Sequence, residues 1–291
     1  MNRAYVSNEI DKSTLVHLGR RSTLEKLHTK LPAGMSFAKG KKMFPALVEC
    51  LLEIERGDIL SFISFVQTWN QPPLETLCLT FLDQVPKDHI EECYRTLATH
   101  IDTGCLDEFK LDIFSQAPGI ASRAHAFIYP STYLRLLFTS FPNLRIVLLR
   151  VPIGYDLDDG VVLDLARALG AQLEEFSLVT DDQRVKPKNT LGGLRALAKY
   201  CPYLEKLVIT FDASSVPEEE AQAPTRQFGI AELDVGFSEI AAHSSAAVAR
   251  FLSSHFPCLE HIKALVQTRR WKQVQDRLPI RQVRRSARKG A

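Results

Sequence analysis

A hydrophobic residue recurs at the first, fourth and sixth places of a short pattern nine times along the chain, and this recurrence constrains the fold more than anything else in the sequence. The copies are Leu24-Leu27-Thr29, Leu47-Cys50-Leu52, Leu74-Leu77-Leu79, Leu106-Phe109-Leu111 and Leu144-Val147-Leu149, followed by Leu173-Phe176-Leu178, Leu204-Leu207-Ile209, Ile230-Leu233-Val235 and Leu259-Ile262-Ala264. Successive copies start 23 to 38 residues apart and about 29 on average. A single copy means little, because any amphipathic stretch supplies one. Nine in order mark a repeat. The fourth and sixth residues of a strand project to the same side, and no single unit can bury that side alone. The units therefore stack, their strands forming a parallel sheet.

The text between the copies fits this arrangement. Asp58–Gln67, Lys87–His100, Ser131–Ser140, Asp159–Leu169, Leu191–Tyr200 and Ser244–His255 read as helices; in the fourth, Val162, Leu165, Ala166 and Leu169 recur at helical spacing. Pro142, Pro202 and Pro257 each stand two residues before a repeat leucine, where proline stops a helix and favours extended chain. Two long stretches, Ser115–Pro130 and the polar, Pro-interrupted Ala213–Phe228, read as a loop insertion and an exposed loop. The expected fold class is α/β: a leucine-rich-repeat-like solenoid with a curved parallel sheet and with helices and loops on the convex side. It spans residues 1–268 in about nine irregular units, with a basic cap or tail over 269–291. The weak first and last copies read as its caps. A doubly wound α/β domain is the alternative, but that fold usually has fewer strands and a glycine-rich phosphate turn.

Composition narrows the function classes. Hydrophobic residues make up 45% and charged residues 24%, as in ordinary globular proteins. The opening residues MNRAYVSNEIDKS hold no apolar core of a secretion signal, and no apolar run approaches the roughly 18 residues of a membrane span. The six cysteines lack a short paired spacing and read as reduced, mostly buried thiols, so an intracellular place, cytoplasmic or nuclear, is expected. The net charge of +2 is uneven: residues 269–291 carry nine Arg or Lys and one Asp.

In a repeat of this kind the third, fifth and seventh residues face the concave side. Read off in this way, Ile146, Leu148, Val179 and Val208 form an apolar group edged by Arg150, Glu175 and Lys206, which is the composition of a protein-binding patch. The opposing reading is that a loop or the C-terminal tail covers it. Signals for chemistry are few. The run Asp156-Leu157-Asp158-Asp159-Gly160 resembles the start of a calcium loop, but Arg167 occupies the twelfth place, where a bidentate Glu is needed; a helix-capping turn is the simpler reading. His255, Cys258 and His261 have metal-like spacing without an evident fourth ligand. Gly192-Gly193 opens a helix but lacks the lysine of a phosphate loop. No catalytic residue, cofactor or metal is expected, and the chain does not read as an enzyme. The alternative function is binding of nucleic acid or an anionic surface through Arg269, Arg270, Lys272, Arg284, Arg285, Arg288 and Lys289. Without an aromatic stacking series among them, nucleic acid is not the expected partner.

The stretches LVHLGRRSTLEKLHTKLP, FPALVECLLEI, PPLETLCLTF, FPNLRIVLLR and CPYLEKLVITF, with the closing pattern Trp271, Val274, Leu278, Pro279, resemble the repeat region of fungal F-box proteins, especially those of mushroom-forming fungi. The resemblance covers most of the chain. It implies a repeat region that selects a protein substrate for a ubiquitin ligase, coupled through an F-box that docks on a Skp-type adaptor. The Leu-Pro-x-Glu start of an F-box does not occur in Met1–Arg20. A Skp-type adaptor is therefore expected only where an F-box lies upstream. The expected partner is a protein, and the expected state a monomer.

Overall fold

A computed structural model describes residues 3–38, 42–114, 128–152, 154–180, 186–217 and 226–279. The chain divides into two compact units, Met1–Ile153 and Gly154–Ala291.

The first unit runs β1 (Arg3–Glu9), α1 (Lys12–Gly19), β2 (Lys26–Leu31), β3 (Glu49–Ile54), α2 (Ile59–Val66), β4 (Thr76–Phe81), α3 (Lys87–His100), β5 (Glu108–Ile113), α4 (Ser131–Ser140) and β6 (Ile146–Arg150). Its six strands pair in chain order and all in parallel. Register brings Leu27, Cys50, Leu77, Phe109 and Val147 opposite one another in a single line, and all five are buried. Burial alternates strictly along β4 and β5, as a sheet covered on one face requires. The helices supply that cover. Phe62 of α2 meets Phe81 of β4 edge-on at 6.3 Å, and Tyr94 of α3 meets Phe109 of β5 at 6.0 Å.

The second unit runs α5 (Asp159–Leu169), β7 (Glu175–Val179), α6 (Leu191–Tyr200), β8 (Lys206–Ile209), β9 (Asp212–Ala213), β10 (Glu232–Asp234), β11 (Glu239–Ile240), α7 (Ser245–His255), β12 (His261–Lys263) and α8 (Thr268–Asp276). Strands β7, β8, β10 and β12 pair in parallel in that order, and β9 pairs with β11. Phe176, Leu207, Leu233 and Ile262 form its apolar line. In each unit the architecture is the leucine-rich-repeat type: parallel strands joined by return segments on one face.

A backbone feature repeats with the leucines. At six copies the carbonyl after the first-place residue accepts two amides from the next copy. Glu25 receives Val48 and Glu49, Val48 receives Glu75 and Thr76, Glu75 receives Asp107 and Glu108, and Asp107 receives Arg145 and Ile146. Glu174 and Ala231 do the same in the second unit, and all twelve contacts measure 2.8–3.2 Å. This shared acceptor fixes the register just before each strand begins. The helices end where the prolines require: α4, α6 and α7 close on Phe141, Cys201 and Phe256, each immediately before Pro142, Pro202 or Pro257.

The structure departs from the sequence reading at two places. The Leu24 copy is not the outermost, because β1 and α1 precede it and β1 pairs along β2. The segment RAYVSNE carries no spaced leucines, so the pattern passes over it. The stretch after β8 contributes β9, which with β11 forms a separate two-stranded sheet. Strands of two residues are too short to leave a periodic signal. Residues 268–276, within the stretch read as a basic cap or tail, form the helix α8. The loop reading of residues 115–127 and 218–225 falls outside the described residues.

Gly57 marks a close approach between neighbouring return segments. Its φ is +61°, and a Cβ there would lie 2.3 Å from the Gln84 carbonyl oxygen. Two outcomes test this account in urea unfolding. Phe109→Ala should cost about 3–5 kcal/mol, the range for deleting a buried ring, whereas Leu51→Ala on the half-exposed face should cost less than half as much. Gly57→Ala should be destabilising by more than about 1 kcal/mol, because strain at positive φ adds to the backbone clash. Equal losses for Phe109→Ala and Leu51→Ala would contradict the assignment of the two faces.

Candidate functional site: the helix-free face of the sheets

The third, fifth and seventh residues of the copies lie on the sheet face away from the helices, and almost all retain solvent exposure. In the first unit they form three in-register rows. The first holds Lys26, Glu49, Thr76, Glu108 and Ile146; the second His28, Leu51, Cys78, Lys110 and Leu148; the third Lys30, Glu53, Thr80, Asp112 and Arg150. Leu51 and Cys78 stand directly opposite each other, making an apolar pair at the centre of β3 and β4. Sequence reading passed over this pair because charges flank Leu51 in its own strand, and only the register places Cys78 beside it.

Charges on this face are matched locally. Lys26 pairs with Glu49, whose other oxygen meets His28 Nε2 at 2.5 Å. Lys30 reaches Glu55 at 2.6 Å, and Lys110 pairs with Glu108. Half-exposed pairs of this kind are worth about 0–1 kcal/mol each. They fix side-chain positions more than they stabilise the fold. Cys78 belongs with the apolar residues: burial pushes its thiol up to about 11, so it is a neutral thiol at physiological pH. Burial likewise raises Cys50 and Cys93 and pushes Cys201 up to about 12. Three of the six thiols are buried and three half-buried, all free.

The sequence-derived patch distributes over the two units. Ile146 and Leu148 are half-buried on β6, opposite Glu108 and Lys110, and Arg150 is exposed with its guanidinium 5.6 Å from the Phe114 ring. In the second unit Glu175 and Val179 are half-buried on β7, Lys206 is exposed, and Val208 is half-buried on β8. Val208 stands opposite Ser177, with Val179 further along its own strand, and Lys206 bridges Glu175 at 2.5 Å.

The tail residues separate into two sets. Arg269 and Lys272 are exposed on α8, whereas Arg270 donates to the Ile240 carbonyl at 2.8 Å and to Gln267 Oε1 at 3.2 Å. Arg284, Arg285, Arg288 and Lys289 lie outside the described residues. The other side of α8 is a lid on the second unit. Trp271, Val274 and Leu278 are buried, and Trp271 Nε1 donates to the Ser238 carbonyl at 3.0 Å. Gln275 Oε1 accepts from the outward amide of Ile262 on β12 at 3.1 Å.

The residues weighed for chemistry have structural employment. Asp158 caps α5 by accepting from Val161 N at 2.8 Å, and Asp156 pairs with Lys188. Asp159 crosses to the start of α6, accepting from Thr190 N at 2.6 Å and Gly193 N at 2.9 Å. A Cβ at Gly192 would lie 2.8 Å from the Asp159 carboxylate, which accounts for a glycine there without any phosphate. His255 stacks on Phe251 with ring centres 4.3 Å apart. Among the described residues, no three His, Cys, Asp or Glu side chains are grouped to hold a metal, and no helix is long and apolar enough to cross a membrane.

With this geometry in place, comparison with known proteins adds little. No protein family and no curated protein matches the chain. A chain in the crystal structure of the Rad7 and Elc1 complex in yeast is similar at 12% identity, over 78% of this chain and 71% of its own length, with a TM-score of 0.27. At those values the likeness decides neither family nor function.

Glu49 gives the face a testable pH signature. The hydrogen bond from Lys26 holds its carboxyl below the ordinary 4.5, with His28 adding to the effect. A carboxylate lowered in this way stabilises the folded state above pH 4.5 and gives that contribution up as pH falls through its own, lower value. Glu49→Gln should therefore lose stability at neutral pH while narrowing the gap between neutral and acidic melting temperatures. An unchanged gap in thermal melts from about pH 7 to pH 3 would contradict the pairing.

Proposed function

We propose that this chain is a protein-recognition module that docks a partner on the helix-free face of its sheets, and that it is not an enzyme. The carrying observation is the pattern of exposure on the first unit. Leu51 and Cys78 keep an apolar pair half-exposed, with Leu148 beyond Lys110 in the same row, framed by ion-paired acids and bases. An apolar centre within a charged rim is how protein interfaces divide their work: the centre supplies most of the affinity, and the rim sets orientation and rate. Rigid parallel strands hold these side chains in place before binding, so little ordering entropy is lost.

The resemblance to fungal F-box proteins supplies the specific form of this reading, a substrate-selecting repeat region of a ubiquitin ligase in an intracellular setting. Engagement of a Skp-type adaptor would depend on an F-box.

The test begins with affinity capture and continues by titration of the captured partner. Leu51→Asp and Leu148→Asp should each weaken binding by at least about 30-fold, the size of a hot-spot loss, with melting temperature nearly unchanged. Binding that survives both would sink the reading, and a collapse in melting temperature would mark these residues as core. Removal of residues 280–291, which leaves Trp271 and Leu278 in place, separates the alternative. A binder of nucleic acid or an anionic surface acting through the basic end would lose its partner on this truncation and show steep salt dependence.

A further inference from the structure

Away from the helix-free face, the second unit gathers two cations around one phenol ring. Tyr200 is the last residue of α6, with Lys199 Nζ 5.3 Å and Arg167 Cζ of α5 5.6 Å from its ring centre. Arg167 and Lys199 are exposed and Tyr200 is half-buried. Arg167 first, and Lys199 with it, hold the phenol below its ordinary value. Among the described residues no carboxylate pairs with either cation.

Two like charges held against one ring repel each other, so the local field needs accounting. The C-terminal ends of α5 and α6 meet here: a Cβ at Gly170 would lie 2.2 Å from the Tyr200 carbonyl oxygen. Each helix end contributes about half a negative charge. Two such ends against two full cations leave about one net positive charge. The helix dipoles thus reduce the repulsion but do not cancel it. An exposed guanidinium fork and an exposed ammonium held against one phenol ring offer more donors than a single carboxylate can use, which suits a tetrahedral dianion with several acceptor oxygens.

We propose that Arg167, Lys199 and the Tyr200 hydroxyl form an oxyanion site that takes a phosphate group, either free or carried on a side chain of a protein partner. The surroundings suit a carried phosphate. Tyr203, three residues on, and Phe228 are among the most exposed large hydrophobic residues. Their turns are tied together by buried Gln227, whose Nε2 donates to the Leu204 carbonyl while its Oε1 accepts from Ile230 N at 3.0 Å. An apolar or aromatic group beside the phosphate would have surface to rest on.

The test follows Tyr200 by nuclear magnetic resonance in protein with 13C-labelled tyrosine rings, the signal being assigned with Tyr200→Phe. Sodium phosphate is exchanged for chloride at constant pH and ionic strength. The Tyr200 signal should shift saturably, with half-saturation on the order of millimolar. The double variant Arg167→Gln/Lys199→Gln should weaken this at least tenfold while the Tyr203 signal stays in place, which reports intact folding. Arg167→Lys, which keeps the charge and loses the fork, should weaken it several-fold and serves if the double variant does not fold. O-phosphotyrosine in place of inorganic phosphate separates the sources: tighter binding points to a partner side chain, equal binding to free phosphate. No saturable shift, an equal shift with chloride, or a shift preserved in whichever variant folds would overturn the site.

Discussion

The fold rests on a packing requirement that no single copy of the repeat can meet. Cys50, Leu77 and Phe109 are each buried only because the next strand brings its counterpart alongside. At about 25 cal/mol per Å² of apolar surface, the gain from each side chain depends on having neighbours on both sides. Between most neighbouring copies a shared carbonyl sets the register at which this happens. Everything exposed on the opposite face inherits its position from that buried line, since alternate residues of a strand are displaced together.

That dependence explains how far the sequence could be read. Positions of Leu77, Phe109 and Leu207 were legible because burial on one face forces a period-two hydrophobic signal. Helix limits were legible for α3, α4, α5 and α6, where proline or a capping aspartate punctuates an apolar stripe. Strand β1 was not, since pairing along β2 needs only backbone amides and carbonyls. The β9–β11 pair and the Asp159 bridge to Thr190 were hidden for a related reason. Both join residues more than twenty positions apart through contacts that impose no local pattern.

The candidate face was legible in composition and not in adjacency. Sequence gave the residues that point outward, and the prediction of half-exposed Leu148, Val179 and Val208 followed from alternation alone. Which of them touch depends on register between strands some thirty residues apart. So Leu51 beside Cys78 and Val208 beside Ser177 emerge only from the pairing. The basic segment divides for a comparable reason. Charge counts treat Arg269, Arg270 and Lys272 alike, but helical spacing turns Trp271 and Val274 inward and commits Arg270 to a backbone carbonyl.

The amide of Gln275 has a wider consequence. It occupies the outward donor of Ile262, the group to which a further strand would bond. Trp271 simultaneously fills the apolar space that another repeat would otherwise share. A duplicated unit inserted after β12 would have to displace both, whereas one inserted between β3 and β5 would meet matching surfaces on either side. Variation in repeat number among descendants of such a gene should therefore arise from internal duplication, with the closing helix carried along unchanged.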